Sequence, residues 1–329
     1  MFNLIETIKP FNKNENFNEF IGDSIDISEE IAKRFEKYEV VIMNEFCAED
    51  FIHIDKCPWC GKENSKIMYN NTYETSVMLC LDCGLVYADK ILNSTGLNKY
   101  WSNYLSLVQN DNDELVDKRE IMYKLEFEYI NDIIDCKNKN VLDIGCGSGR
   151  FLDFFSENGA QCFGVEYGRE AAEVSGKRYK VWLGEFPKID IDTKFDLIIF
   201  RGTLQYCINP KEYLNKAMKL LNSGGYIYIT STPNSDSLCF NLFEDKFTLP
   251  VSVTDYYAFK ESLLTKYINE VGGKLFCKYS FYKETPYANV EEDIEKVNKA
   301  LSYKKSNKKI DFKSPPFFDN MLTLVYRKI

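Results

Sequence analysis

The stretch at residues 141–150 constrains this chain more than any other. It reads VLDIGCGSGR: a short apolar run that ends in an acidic residue, then three glycines spaced G-x-G-x-G. An amphipathic segment at 151–158 follows and ends at Gly159. This order predicts a strand, a tight turn and a helix, the opening unit of a doubly wound α/β sheet. Glycines at such a turn let the backbone approach a ligand, because a Cβ atom would occupy that space.

The glycine pattern departs from the dinucleotide fingerprint G-x-G-x-x-G, because Arg150 stands where its last glycine would be. The letters VLDIGCGSGRFL instead resemble motif I of the class I S-adenosylmethionine-dependent methyltransferases. The resemblance covers roughly residues 57–329. It implies an α/β enzyme with a Rossmann-like, seven-stranded class I methyltransferase sheet, an N-terminal zinc ribbon and a helical lid. A generic βα turn in another α/β protein is the alternative interpretation.

The resemblance also implies where S-adenosylmethionine binds. Asp143 and the glycine turn would hold the methionine end. Glu166 ends the next predicted strand, about 20 residues past the turn, where nucleotide-binding folds place an acid that accepts two hydrogen bonds from a ribose diol. Tyr100 and Arg119, from the helical segment 91–135, would lie near the cofactor carboxylate. The full predicted cofactor set is Asp143, Gly145, Cys146, Gly147, Gly149, Glu166, Tyr167, Glu185, Phe186, Arg201, Tyr100 and Arg119.

Two cysteine pairs precede the glycine turn. Cys57 and Cys60 enclose two residues, as do Cys80 and Cys83, and a glycine follows each pair. The gap between the pairs falls within the roughly 15–20 residues expected for a zinc ribbon. Four thiolates complete a tetrahedral Zn²⁺ site with no open position, which predicts a structural metal. A redox C-x-x-C site is the competing interpretation.

Charge and composition exclude several function classes. The formal net charge is −9, which disfavours bulk nucleic-acid binding because phosphate backbones are repelled. No apolar run is long enough to span a membrane, and the N-terminus lacks the apolar region of a signal peptide. The 11 cysteines are an odd number, and without an export signal they indicate reduced thiols plus a metal site in a cytoplasmic protein.

The chain divides into four predicted parts: an N-terminal extension of unclear role (1–55), the zinc ribbon (56–90), a helical lid or linker (91–135) and the S-adenosylmethionine-binding domain (136–329). Within the extension, spacing predicts a helix at 28–37 and a strand at 38–43. A further helix is predicted at 258–270. The lysine-rich stretch at 304–309 is predicted to be a solvated insertion that could meet a substrate phosphate.

The general base is the least determined feature. In the family that this chain resembles, many small-molecule methyltransferases have a histidine after the fourth strand, in a pattern like L-x-H. This chain has Tyr206 there, as an acid/base or acceptor-binding candidate, or as a residue that only packs on the cofactor. His53, the one histidine of the chain, is the second catalytic candidate, against a purely structural role.

The acceptor is predicted to be a small polar molecule, because a ribbon ahead of a methyltransferase core resembles bacterial sugar methyltransferases. A sugar or nucleotide sugar of surface polysaccharide or secondary metabolite biosynthesis is favoured. O-methylation is favoured over C-methylation, since sugar C-methyltransferases carry a longer C-terminal domain. The alternatives are an rRNA methyltransferase with an RNA-reading ribbon and a non-catalytic S-adenosylmethionine-binding protein. The predicted acceptor-binding residues are Thr203, Gln205, Tyr206, Asn234, Asp236, Tyr256 and Tyr257, with Arg201 or the 304–309 stretch for a diphosphate.

Overall fold

The fold was obtained as a computed structural model that describes residues 46–71, 75–108 and 113–329; the side chains of 103–115 lie outside that description. The helix predicted at 28–37 and the strand predicted at 38–43 lie outside the described residues. The described strands are β1 (Phe51–His53), β2 (Ser65–Asn71), β3 (Thr75–Cys80), β4 (Val86–Ala88), β5 (Lys90–Leu92), β6 (Asn140–Ile144), β7 (Gln161–Glu166), β8 (Lys180–Leu183), β9 (Phe195–Arg201), β10 (Leu221–Pro233), β11 (Tyr257–Ala258), β12 (Gly273–Tyr279) and β13 (Met321–Lys328).

Eight α-helices connect these strands within the described residues. They are α1 (Ser94–Val108), α2 (Asp113–Ile134), α3 (Arg150–Glu157), α4 (Arg169–Gly176), α5 (Pro210–Leu220), α6 (Leu238–Phe243), α7 (Glu261–Glu270) and α8 (Val290–Lys305). None of the described helices combines the length and the apolar character that crossing a bilayer requires.

The main sheet has seven strands in the order β12-β13-β10-β9-β6-β7-β8. The five neighbouring strands β10, β9, β6, β7 and β8 are parallel. Strand β13 pairs antiparallel with both β10 and β12. This confirms the predicted Rossmann-like sheet. The chain leaves β6 toward β7 on one side and later returns to β9 on the other, so a crevice opens above the carboxyl ends of β6 and β9.

Strand β9 shows why the sheet is covered on both faces. Ile198 and Phe200 belong to one buried apolar cluster, whereas Leu197 and Ile199 belong to another. Successive side chains of a strand point to opposite faces, so the two clusters lie on opposite sides of the sheet. Each such buried side chain contributes roughly 1.5–3 kcal/mol of transfer free energy. The nearly continuous apolar run of β9 is therefore the signature of a fully covered central strand.

The ribbon strands form a second sheet in the order β11-β4-β3-β2. Its edge strand β11 comes from much later in the chain than the other three strands. Tyr257 pairs with Tyr87 and Ala258 with Val86. The helix predicted at 258–270 therefore begins three residues late, at Glu261, because Ala258 is taken up by β-pairing. Long-range strand pairing has overridden the helical spacing of the local sequence.

The lysine-rich stretch continues out of helix α8, where the sequence predicted only an insertion. Lys304 and Lys305 form the last turn of that helix, where cations oppose the negative end of its dipole. Lys304 also forms an ion pair with Glu244 at 3.2 Å. These lysines are exposed, so the predicted solvation holds although the helix was missed.

Candidate functional site

A cavity of about 770 Å³ opens at the carboxyl edge of the main sheet. Its floor is formed by the ends of β6, β7, β9 and β10, and helices α1 and α2 contribute walls above them. This is the crevice that the strand order creates. A cavity of this size accommodates a ligand of nucleoside size together with a small second molecule.

The glycine turn lies at the cavity floor. Gly145, Gly147 and Gly149 have φ of 78°, 56° and 84°, a left-handed conformation that residues with a Cβ atom rarely adopt. A Cβ at Gly145 would lie 2.7 Å from Oγ1 of Thr203, whereas one at Gly147 would meet no protein atom within 4 Å. Gly147 is thus the point where the backbone faces open cavity. Gly149 does not line the cavity, and it precedes helix α3 as its N-cap.

Asp143 lies next to the last residue of β6, and one oxygen of its buried carboxylate has no hydrogen-bond partner. The residue is 3% exposed, and the oxygen without a partner is Oδ1. The pKa of Asp143 is raised to about 7, mainly by burial; the charge of Arg201 opposes this rise, and the charges of Glu166 and Glu126 add to it. A buried acceptor without a donor costs free energy, so this atom suits a ligand that brings a cation. The ammonium of a bound methionine moiety has that chemistry.

Glu166 is held in place by the backbone of the glycine turn. Its Oε2 accepts from Gly147 N and its Oε1 from Gly168 N, each at 2.7 Å. Burial raises the pKa of Glu166, and these hydrogen bonds oppose the rise. Each carboxylate oxygen has a second lone pair, so an oriented Glu166 can still accept from two hydroxyls. This geometry fits a ribose diol.

The predicted adenine side of the site is closed by α1 and the segment after β8. Tyr167 donates its hydroxyl to Ser94 O at 3.0 Å, which ties the strand end to the first residue of α1. Glu185 forms an ion pair with Lys188 at 2.6 Å, and Phe186 is 1% exposed. All three predicted residues line the cavity, with Phe186 at its buried end.

Helix α1 brings Trp101 over the cavity, and Tyr100 lies behind it. Trp101 meets the ring of Tyr206 edge-on at 5.3 Å and lines the cavity together with it. Tyr100 packs on Trp101 at 5.0 Å, is buried and does not line the cavity. A role for Tyr100 at the cofactor carboxylate thus lacks geometric support. Arg119 from α2 does line the cavity.

Arg201 is committed to a protein partner. Its Nε lies 2.5 Å from Oε2 of Glu126, and its guanidinium lies 4.2 Å from the ring centroid of Tyr123. Arg201 lines the cavity, but its charge is matched by a fully buried carboxylate. The sequence predicted Arg201 as a ligand of the cofactor or of a diphosphate. Its ion pair with Glu126 was not predicted.

Glu126 is the site residue that sequence reasoning missed. Its Oε1 accepts from Thr230 Oγ1 and Ser231 Oγ, each at 2.8 Å. Ser231 has a left-handed φ of 53°, at an irregularity in the pairing of β10 with β13. Such bulges redirect side chains beside active sites. The available signal was an acid on the buried face of α2, four residues after Met122 and four before Ile130.

The structure brings most of the predicted cofactor residues to this one cavity. Those that line it are Asp143, Gly145, Cys146, Gly147, Glu166, Tyr167, Glu185, Phe186, Arg201 and Arg119, together with Tyr206, Thr203 and Gln205. Those that do not are Gly149, Tyr100, His53, Asn234, Asp236, Tyr256 and Tyr257.

The residues outside the cavity have other partners in the fold. His53 lies on β1, exposed and paired with Lys90 of β5, so its predicted catalytic role lacks geometric support. Tyr256 donates its hydroxyl to Leu92 O, and Tyr257 to Ile208 O. Asp236 forms an ion pair with Lys260 at 2.6 Å. These side chains support the loops instead of facing an acceptor.

The four ribbon cysteines converge at a second position. Their Sγ atoms all lie within 4.8 Å of one another. Each pair forms the same turn: Gly61 N donates to Cys57 O at 2.8 Å, and Gly84 N donates to Cys80 O at 2.9 Å. Tetrahedral zinc with bonds of about 2.3 Å places its sulfurs about 3.8 Å apart. The four sulfurs therefore fit the donor set and spacing of such an ion.

Comparison with known proteins agrees with this geometry. Residues 119–281 match a family described as a methyltransferase domain. This part of the chain is therefore similar to a methyltransferase domain, and its seven-stranded sheet has the Rossmann-like methyltransferase fold. One similar structure is that of magnesium protoporphyrin IX methyltransferase from Synechocystis with bound S-adenosylhomocysteine. It superposes on this chain with a TM-score of 0.51. That match covers 72% of this chain and 100% of the other, at 10% identity, so it shows the fold alone.

Three proteins are similar in sequence to part of this chain. A protein of Methanocaldococcus jannaschii is 32% identical over 136 residues, which is 41% of this chain and 63% of that protein. A second protein of the same organism is 30% identical, with 42% of its length covered. An uncharacterized methyltransferase of Bacillus cereus is 26% identical over 48% of this chain and 78% of its own length. The chain thus spans less than two thirds of the first two relatives.

Proposed function

We propose that this chain is an active methyltransferase that moves the methyl group of S-adenosylmethionine to a small polar acceptor. One observation carries the proposal: Asp143, whose Oδ1 has no hydrogen-bond partner, and the oriented carboxylate of Glu166 share one cavity with the glycine turn. In this assignment Asp143 holds the ammonium, Arg119 the carboxylate and Glu166 the ribose. Tyr167, Glu185 and Phe186 surround the adenine.

Most of the catalytic work falls on positioning. When bound, S-adenosylmethionine supplies a sulfonium-activated methyl group, so an acceptor lone pair bonds to carbon, the carbon–sulfur bond breaks onto sulfur, and the acceptor loses a proton. Trp101 and Tyr206 pack edge-on against each other and both line the cavity. Holding two reactants in line contributes much of the acceleration of a displacement reaction. Tyr206 is our candidate for relaying the proton that the acceptor loses: its hydroxyl would take up that proton and pass its own to solvent.

A sugar remains the acceptor that the sequence favours, with O-methylation as the favoured reaction. Thr203, Gln205 and Tyr206 line the cavity and offer hydroxyl and amide groups to a polyhydroxylated ring. The other predicted acceptor residues do not reach the cavity. The sugar hypothesis therefore rests on a smaller set of residues than the sequence suggested.

Ribosomal RNA is the second acceptor class, and the ribbon disfavours it. Lys56 forms an ion pair with Glu63 at 2.9 Å, and Lys62 with Asp82 at 3.4 Å. A face that binds a phosphate backbone needs cations that are not already neutralised. The third possibility is a protein that binds the cofactor without catalysis. It would bind S-adenosylmethionine as an active enzyme does, but would transfer no methyl group.

We also propose that the cysteine cluster holds one structural Zn²⁺ on Cys57, Cys60, Cys80 and Cys83. Four thiolates leave no open coordination position, so the ion takes no part in methyl transfer. Its role is to fix the two turns of the ribbon. The symmetric backbone hydrogen bonds of those turns support this proposal.

Calorimetric titration with S-adenosylhomocysteine tests the cofactor site. We expect binding to the unaltered chain, and Glu166→Ala to weaken it by roughly 1.5–3 kcal/mol, the range for hydrogen bonds to a charged group. Glu170→Ala, an exposed acid on helix α4, is the matched control and should leave affinity unchanged. Absence of binding by the folded unaltered chain would refute the proposed function. Transfer of a labelled methyl group to small molecules of a lysate separates an enzyme from a binding protein.

A further inference from the structure

The cavity extends well beyond the residues assigned to the cofactor. Strands β7 and β8 lie on one side of the β6–β9 crevice, and β10 and β13 lie on the other. Cavity-lining residues on the β10–β13 side include Tyr123, Glu126, Phe281, Tyr287, Phe317 and Asn320. We call this half the acceptor compartment. It lies across the crevice from Glu166, which leaves the methyl donor between the two halves.

The walls of the acceptor compartment suit a ring. Tyr123, Tyr287, Phe281 and Phe317 contribute aromatic side chains, and the pair at 315–316 contributes two prolines. Burial raises the pKa of Tyr287 to about 12, so its phenol is neutral at ordinary pH. Aromatic faces bind flat or apolar ring faces and leave the rim of the ring to polar groups.

Two amide side chains that line the cavity carry oxygen atoms that accept no hydrogen bond. Gln205 and Asn320 line the cavity, and each has a buried side-chain oxygen without a hydrogen-bond partner. The amide nitrogen of Asn320 donates to Pro315 O at 3.0 Å, which fixes the orientation of that amide. Both side chains are more than nine-tenths buried. Buried acceptors of this kind favour a ligand that donates hydrogen bonds.

The charges of the cavity disfavour a phosphate. No lysine lines it within the described part of the chain. Arg201 is paired with Glu126 at 2.5 Å, and Arg150 with Glu120 at 2.9 Å. Arg119 also lines the cavity and is assigned above to the carboxylate of the cofactor. Asp143, Glu166 and Asp255 add further carboxylates to the lining, so a phosphate buried here would meet like charges.

We infer that the acceptor is a phosphate-free ring compound whose rim donates hydrogen bonds through hydroxyl or amino groups. The inference rests on the proposed methyltransferase function and narrows its acceptor. It keeps a free sugar or amino sugar within the class and removes nucleotide sugars and sugar phosphates. Gln205 and Asn320 are the specificity-determining residues, because they accept from the rim.

Matched pairs of compounds test this inference. Sugars, amino sugars and hydroxylated or aminated heterocycles are supplied free and as monophosphates, with labelled S-adenosylmethionine as donor. We expect labelled products from free members and a rate at least about tenfold lower from each monophosphate, the effect of about 1.4 kcal/mol. Labelling confined to phosphorylated members would overturn the inference. Failure to bind S-adenosylhomocysteine would refute the proposed function instead, so the two failures are distinct.

Two variants test the assigned residues. Gln205→Leu and Asn320→Leu remove the acceptor oxygens, and each should raise the acceptor KM by about tenfold while S-adenosylhomocysteine affinity stays within about twofold. Gln161→Leu, at an exposed glutamine that begins β7 outside the cavity, is the matched control. Gln205→Glu and Asn320→Asp retain an acceptor oxygen and keep the test valid if a leucine variant does not fold. An unchanged KM in folded leucine variants would overturn the assignment.

Discussion

Arg201 and Glu126 join the central strand β9 to helix α2 through a buried ion pair, with Arg201 Nε 2.5 Å from Glu126 Oε2. The carboxylate also accepts from Thr230 and Ser231, so one acid gathers two strand ends and a helix at the cavity wall. The pair removes a positive charge that would otherwise recruit anions. It therefore affects both the stability of the fold and the choice of acceptor.

Replacing Glu126 should expose the importance of this pair. We expect Glu126→Ala to lower the free energy of unfolding by about 3–5 kcal/mol, because Arg201 is left as an uncompensated buried charge. Glu126→Gln keeps hydrogen-bonding atoms and should cost less. Glu128→Ala removes a half-exposed acid of the same helix and should change stability by less than about 0.5 kcal/mol. Urea unfolding measures all three, and equal stabilities would contradict the assignment.

Asp143 should make cofactor binding depend on pH. Its pKa is about 7, above the ordinary value, so folding favours its protonated form. That form contributes stability below the unfolded pKa of about 3.9, and the contribution is lost as pH rises to about 7. An ammonium ligand favours the carboxylate. Affinity for S-adenosylhomocysteine should therefore weaken, by up to about tenfold per pH unit, below pH 7.

Asp143→Asn provides the control for that pH profile. The amide cannot titrate, so its weaker affinity should be constant between about pH 5.5 and 7. Calorimetry across this range compares the two proteins. Parallel profiles would show that another group titrates.

The glycines of the turn should differ in what they tolerate. Gly145→Ala places a Cβ 2.7 Å from Thr203 Oγ1, which itself donates to Ile144 O at 2.7 Å. We expect a loss of about 2–4 kcal/mol of stability, from overpacking plus backbone strain. Gly147→Ala meets no protein atom within 4 Å, so we expect about 1 kcal/mol of strain and a larger loss of cofactor affinity. Thermal unfolding and calorimetry separate the two effects; identical behaviour would refute the distinction.

Metal removal should act first on the ribbon. Purified protein should contain about one zinc per chain, and chelation should release the ribbon before the main sheet unfolds. Trp59 packs edge-on against Phe259 and Tyr267, at 5.8 Å and 5.4 Å, so its fluorescence should report the change. Trp59→Phe should remove that signal while the metal content stays the same. Metal-free protein with unaltered unfolding would contradict the zinc proposal.

Tyr206→Phe separates proton transfer from packing. If the hydroxyl moves the acceptor proton, the rate should fall by roughly 10²–10⁴ while the ring still meets Trp101. A role in packing alone predicts little change in rate and a loss only when the ring is removed, as in Tyr206→Ala. Turnover at saturating donor, with an acceptor found in the labelling experiment, gives the answer.

The sequence was most informative where chemistry is local. The glycine turn, the two cysteine pairs and the apolar run of β9 each lie within a few residues, so spacing alone predicted them. Glu126 was out of reach because its partners are Arg201, Thr230 and Ser231, about a hundred residues away. Nothing in the local sequence distinguishes a buried, paired acid on a helix from a solvated one.

The acceptor compartment was missed for a related reason. Its walls come from segments around 123, 281–287 and 315–320, which only the sheet order brings together. Conversely, Tyr256 and Tyr257 were predicted to face the acceptor, but their hydroxyls donate to Leu92 O and Ile208 O instead. The orientation of these side chains follows from pairing with distant strands, which the local sequence does not reveal.

Strand β11 is an edge strand of the ribbon sheet, although it comes much later in the chain than the other three strands. Tyr257 and Ala258 complete the ribbon sheet, and Tyr256 both accepts from Ala88 N and donates its backbone N–H to Gln205 O. A fragment that starts after residue 90 would leave β11 as an unpaired edge beside uncovered aromatic side chains, which promotes aggregation. Recombination between relatives should therefore exchange the ribbon and the segment around residue 257 together, never the ribbon alone.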